Sequence, residues 1–269
     1  MHADAPPRDV DPLAAPLRDL VQAFADAGHP IEAPVRARIH PGLPAVGTTI
    51  PSREGYLVLV SDRAAELGDV RMLLAHELGH VQRMASGHAS HDDDAITAAY
   101  AAVELRTEHQ RAVAHHVINH TQDLYADPLS LRIVRSLGIL DDEALDAMIL
   151  TFANDTPYEV ADPVERRWDR TEDMVGNARA VALARLAGLS SAEARAQDAQ
   201  RRYLARIEPD IAEHAAWFEG RLLDLPEDVS REAFTALLVD YLSRFVRVAN
   251  GGVHQEGHDW PSRQRHDKP

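Results

Sequence analysis

The chain contains no cysteine. That absence excludes disulfides, thiol nucleophiles and thiolate metal cages, so any metal here must be held by His, Asp or Glu. It says nothing about compartment. Positive charge is also scarce: 28 Lys and Arg stand against 43 Asp and Glu, a net charge of −15. Nucleic-acid binding therefore has no global electrostatic support. No stretch approaches the ~18 uninterrupted apolar residues of a membrane span. The opening "MHADAPPRDVDPLAAPL" lacks the basic and apolar regions of a secretory leader. No internal repeat is present, and a soluble, cytoplasmic protein is the expectation.

What is present is enough hydrophobic residue, 45% of 269, for one large domain or two small ones. Residues 1–9 read as disordered. Helical spacing over 12–27 stops at Gly28-His29-Pro30, a terminator. Short β-type runs follow in "PVRARIH", "AVGTTI" and, after the turn "SREG", "YLVLVSD". Beyond residue 62 strand signals almost vanish. Helices are predicted over 64–86, 93–126, 128–137, 140–153, 163–188, 191–222 and 228–249. The fold class is therefore α+β, predominantly helical, with a small N-terminal sheet. Residues 1–137 read as the catalytic region, 138–250 as a helical C-terminal region and 251–269 as a mobile tail. Trp168, Trp217, Phe234 and Phe245 read as packing residues.

Within the helix predicted over 64–86 lies "HELGH", residues 76–80. Burying histidine and glutamate without partners is costly, and here Val70, Leu73, Leu74, Leu78 and Val81 form an apolar stripe around them. Residues four apart share a helix face, so His76 and His80 can direct two imidazole nitrogens at one ion with Glu77 beside them. That is the H-E-x-x-H geometry, in which the glutamate serves as general base for a metal-activated water. With 15 histidines in the chain, chance produces these five letters on the order of once in twenty such sequences, so context decides. Gly79 adds to that context. A helix-interior glycine costs ~1 kcal/mol against alanine, which predicts close approach of another backbone.

"LLAHELGHV" resembles the active-site helix of the zincin metallopeptidases, and the resemblance covers about residues 55–130. It implies one Zn2+ per chain, held by His76, His80 and a third protein ligand, with Glu77 catalytic. In gluzincins that third ligand is the Glu of an E-x-x-x-D pattern on the next helix. Here Asp123-Leu-Tyr-Ala-Asp127 matches with Asp in place of Glu, one methylene shorter. The helices must then come closer, which Gly79 would allow. Asp123 belongs to a stripe of ligand-type residues that also holds His109, His116, His120 and Asp127. His120 is the rival ligand. The extended motif that supplies a third histidine six residues on is missed, since His88 falls eight residues beyond His80. Asp127 reads either as a support behind the ligands or, preceding Pro128, as the N-cap of a new helix. His116 and Asn119 are further groups near the ion or substrate, and His115 is a solvated position. His29, His40, His88 and His91 read as loop surface, His254, His258 and His266 as tail. "HDDD", 91–94, solvates a loop and caps a helix.

The chemistry so implied is zinc-dependent hydrolysis of a peptide or protein substrate. Tyr158, Tyr125 and His116 are candidates to hold the oxyanion, Tyr125 reading better as packing. An extended peptide adding to the edge of "YLVLV" is the expected binding mode. Two other functions compete: a regulatory metallopeptidase of the ImmA/IrrE-like kind acting on one protein partner, and a non-catalytic zinc-binding helical interaction protein. No basic helix-turn-helix face is apparent. Glu77 favours catalysis, because a structural site needs no carboxylate beside its water. No nucleic acid and no membrane are expected as partners, and the oligomeric state is undetermined by sequence.

Overall fold

The structure, a computed structural model, describes residues 11–66 and 70–252. The expected disordered start, the tail beyond residue 252 and the histidines in it lie outside the described residues. The fold is α+β with helix predominating, as the sequence predicts.

Three strands, β1 (Val35–His40), β2 (Gly47–Ser52) and β3 (Gly55–Ser61), form a sheet in the order β1-β3-β2. β3 runs parallel to β1 and antiparallel to β2. Val58, Leu59 and Val60 of β3 are all buried, so both of its faces are covered and its run reads as continuous apolar sequence, the mark of a central strand. The expectation of a peptide at the edge of "YLVLV" is therefore corrected. That strand is paired on both sides, and β1 and β2 form the edges of the sheet. "GTTIPS" suits an edge, being mostly polar and holding Pro51, which has no N–H to donate.

Helix α1 (Ala14–Asp26) packs Leu17, Leu20 and Phe24 into the core before the sheet. After it come α2 (Asp62–Glu66), α3 (Arg71–Ala85), a 3₁₀ turn (Ala89–His91), α4 (Asp93–Ala101) and α5 (Glu108–Ser136). Asp92 caps α4 by accepting from the N–H groups of Asp94 and Ala95, as "HDDD" suggested. The helix boundaries around Pro128 differ from expectation. The chain breaks before Thr107, whose hydroxyl accepts from Gln110 N while Gln110 Oε1 accepts from Thr107 N, a capping box that opens α5. From there α5 runs unbroken through Pro128. Proline removes one intrahelical bond and crowds the preceding turn. In the turn before it, Arg83 of α3 donates its Nε–H to the Tyr125 carbonyl at 2.9 Å, tying α5 to α3.

The remaining helices are α6 (Asp142–Leu150), α7 (Pro163–Leu186), α8 (Ser190–Leu204), α9 (Pro209–Ala212), α10 (Ala215–Leu223) and α11 (Arg231–Ala249). The single helix expected over 191–222 is three, because Pro209 takes the first-turn position of α9 and starts it anew. Trp168, Phe234 and Phe245 are fully buried, and Trp217 stacks on Tyr241. One apolar core runs from α1 and β3 through α3, α5 and α7 to α11.

At the crossing of α3 and α5, Gly79 does what its position suggested. A Cβ on it would lie 2.5 Å from Ser130 Oγ and 2.9 Å from the Ala126 carbonyl. Ser130 Oγ bridges the two helices, donating to Ala75 O at 2.8 Å. This close contact brings the polar face of α3 against Asp123 and Asp127.

Candidate metal centre

Leu74, Leu78 and Val81 turn α3 toward the core, and the same helical phase aims His76 and His80 at α5. Their Nε2 atoms lie 3.2 Å apart, and His80 Nε2 lies 3.3 Å from Asp123 Oδ1. Ligand atoms of all three residues fall within 4.8 Å of one another, a set able to hold a metal ion. A tetrahedral ion bound at about 2.0–2.1 Å would separate its ligand atoms by about 3.3–3.4 Å. The His–His and His–Asp spacings match that edge.

The groups behind the ligands are ordered. His76 Nδ1–H donates to Asp127 Oδ1 at 2.5 Å, which leaves Nε2 facing the centre. Burial lowers the His76 pKa, but the charge and hydrogen bond of Asp127, with Asp123 and Glu77 nearby, outweigh it and raise the value to about 9. Asp127 thus lies mid-helix, bonded to His76, and is not an N-cap. Asp123 is buried, which favours its neutral form. Arg179 of α7, with His80 and His76, overcomes that and holds the carboxyl below the usual carboxylate range. Arg179 Nη2 reaches Asp123 Oδ2 at 2.9 Å and Asp127 Oδ2 at 3.3 Å, and its guanidinium sits 4.1 Å over the Phe152 ring. With His76 neutral, as ligation requires, one guanidinium against the carboxylates of Asp123, Asp127 and Glu77 leaves two negative charges in a largely buried cluster. A divalent cation would balance them.

Glu77 is 5% exposed and lies between α3 and β2, where Thr49 Oγ1 donates to its Oε2 at 2.7 Å. Gly47 keeps the strand close. A Cβ there would sit 2.9 Å from Glu77 Oε1. A cleft of about 770 Å³ opens over His76, Asp123, Asp127 and Arg179, walled by Val46, Val70, Met72, Leu73, Met148 and Phe152. On the other side of the centre, His80 Nδ1 lies 2.8 Å from His91 Nε2. Burial, then His80, His88 and Arg83, push the His91 pKa down to about 3, so its ring is neutral.

The structure brings together His76, Glu77, His80, Asp123 and Asp127. It does not bring in the others named from sequence. His120 is outside the ligand set, its Nδ1 buried without a partner, and burial followed by Arg179 lowers its pKa to about 3. Its phase on α5 directs it to Gly176 of α7 instead. His116 is exposed and bonds Glu172 at 2.9 Å. Asn119 is half-buried on α5 and is not among the ligand or cleft residues. Tyr158 is 67% exposed in the loop after α6, away from the cleft lining. Tyr125 is packing, edge-on to Phe234. Sequence reasoning missed Arg179, Thr49 and His91. Arg179 sits amid arginines on a helix that reads as packing, Thr49 is one polar residue of an edge strand, and His91 was read as loop surface.

The chain belongs to a family of unknown function, DUF5781, whose family model matches residues 10–247. No curated protein and no solved structure matches it. No helix among the described residues is long and apolar enough to cross a membrane.

Proposed function

We propose that this protein is a zinc-dependent endopeptidase with a zincin-like centre formed by His76, His80 and Asp123. The observation that carries the reading is the convergence of these three ligand atoms within 4.8 Å, with His80 at tetrahedral-edge spacing from both His76 and Asp123, and Glu77 on the same helix turn. Two histidines and a carboxylate suit zinc, which when bound acidifies a water and polarises a carbonyl. Glu77, held by Thr49, takes the water's proton and returns it to the leaving amine. Asp127 and Arg179 fix His76 and Asp123. Arg179 also lines the cleft, where its guanidinium is a candidate to hold the oxyanion, whereas Tyr158 is not among the lining residues.

An extended peptide fits the open edge of β2. Ser61 N–H donates to Val46 O, so hydrogen bonds to β3 alternate along β2 and the polar backbone of Gly47 and Thr49 faces outward. Both residues flank Glu77. The apolar cleft wall suits a large apolar substrate side chain. A non-catalytic metal protein has no use for a carboxylate braced by a strand hydroxyl, which favours the enzymatic reading. The test is Glu77→Gln, with hydrolysis measured on unfolded protein or a peptide library. The variant should bind zinc as wild type does and cleave nothing. Cleavage at the wild-type rate would refute the mechanism.

A further inference from the structure

The far side of His80 carries a set of contacts that the reaction above leaves unused. His80 Nδ1 meets His91 Nε2 at 2.8 Å, and His91 Nδ1 meets Ser90 Oγ at 2.8 Å. Ser90 Oγ in turn meets His88 Nδ1 at 2.7 Å, and His88 Nε2 meets the Glu227 carbonyl at 2.8 Å. The direction of this chain is set at its outer end. A carbonyl only accepts, so His88 Nε2 carries a proton, and Nδ1 is bare because it accepts from a backbone N–H. The backbone N–H of Ser90 points at the same nitrogen, at 3.2 Å. The one hydroxyl proton of Ser90 therefore goes to His88, and its oxygen accepts from His91 Nδ1–H. His91 Nε2 is then bare and accepts from His80 Nδ1–H. The chain thus places a proton on His80 Nδ1 and leaves Nε2 as the nitrogen that faces His76 and Asp123.

We propose that His88, Ser90 and His91 form a one-directional hydrogen-bond chain that locks His80 in its Nδ1–H tautomer and aims Nε2 at the cation. His91 is then a positioning residue of the centre. This rests on the metallopeptidase reading above. The chain is built in, not incidental. Gly87, at φ +67°, reverses the backbone after α3 so that the 3₁₀ turn returns to His80. Gln122 Nε2 of α5 donates to Ser90 O at 3.2 Å, tying the turn to the helix that carries Asp123. Arg83 of α3 pairs with the Glu227 carboxylate at 2.7 Å, fixing the segment whose carbonyl ends the chain. The two histidine ligands are thus oriented by different means. His76 is held by a carboxylate, His80 by a neutral imidazole. The arrangement orders His80 without adding a further negative charge to the cluster.

The test uses the full chain, 15N-labelled and stripped of metal. Long-range 1H–15N correlations for His80 should show Nδ1 protonated. His91→Ala should lose that preference and weaken Zn2+ binding, read by chelator competition, by ~10–100-fold, the usual loss when the group orienting a ligand is removed. His91→Gln keeps an acceptor in place and should restore affinity to within a few-fold of wild type. His80 found as the Nε2–H tautomer in wild type overturns the proposal. So does wild-type zinc affinity in His91→Ala, or a Gln variant as weak as Ala, which would indicate ring packing alone. If His91→Ala fails to fold, the wild-type spectrum and the Gln variant decide. A wild-type protein that takes up no zinc sinks the metallopeptidase reading, while the tautomer spectrum still judges the chain.

Discussion

The proton on His76 and a metal ion compete for one atom, and that competition can be measured. With Asp127 behind it, His76 has a pKa raised from 6.5 to about 9, so in metal-free protein at neutral pH it is an imidazolium whose Nε2–H points at His80 Nε2, 3.2 Å away. Zinc needs that nitrogen bare, so binding must expel one proton. Zinc affinity should therefore fall about tenfold for each pH unit below 9, or ~100-fold between pH 8.5 and 6.5. Titration calorimetry in buffers of different ionisation enthalpy should count one proton released per zinc at pH 7. The same shift has a stability signature in metal-free protein. A pKa raised on folding stabilises fully below the unfolded value of 6.5 and ceases to do so as pH rises through 9. The corresponding contribution is ~3 kcal/mol. Metal-free protein should thus melt at lower temperature as pH rises from 6.5 to 9, while zinc binds more tightly over the same interval. A flat affinity with no proton release would refute the Asp127–His76 argument.

Two further outcomes separate the parts of the site. Asp123→Ala should lower zinc affinity sharply and His120→Ala should leave most metal bound, with Asp127→Ala between them at ~10–100-fold weaker; metal content after dialysis ranks the three, and loss of zinc from His120→Ala with retention in Asp123→Ala would reverse the ligand assignment. Gly79→Ala gains ~1 kcal/mol of helix propensity but forces a methyl against Ser130 Oγ and the Ala126 carbonyl, an overpacking cost of ~1–3 kcal/mol. The net effect should be a lower midpoint in urea unfolding, and an unchanged or higher midpoint would contradict the close crossing of α3 and α5.

The parts of the site legible in sequence share one property: they lie on helices, where spacing in sequence is spacing in space. His76, Glu77 and His80 read directly from the period of α3, and Asp123 and Asp127 from that of α5. β3 was readable as a strand from its apolar run, but its central place was not: the sequence reading leaves it a free edge, whereas β1 and β2 pair with both of its sides. What escaped depends on tertiary placement. His91 lies eleven residues past His80 but returns to it through the turn at Gly87, and no periodicity encodes a reversal. Arg179 faces Asp123 from α7, a helix whose spacing reports only that it packs. Pro128 misled because its local preference for a helix start yields to the packing of α5 against α3 and α7, which carries the helix through it.

These missed contacts also explain how aspartate can stand where the resemblance expects glutamate. A side chain shorter by one methylene must start closer to the ion and be held more firmly. The start is closer because Gly79 has no Cβ and α5 descends onto α3 until Ser130 bonds the Ala75 carbonyl. The hold is firmer because Arg179 takes Asp123 Oδ2 and leaves Oδ1 alone directed at His80 Nε2. The same guanidinium reaches Asp127, which orients His76, so one cation tightens both the carboxylate ligand and the support of an imidazole ligand. Arg179 is itself kept in a buried place by those two carboxylates and by the face of Phe152. On the metallopeptidase reading, aspartate in the third-ligand place is thus one part of a linked set with Gly79, Ser130, Arg179 and Phe152, each from a different stretch of sequence.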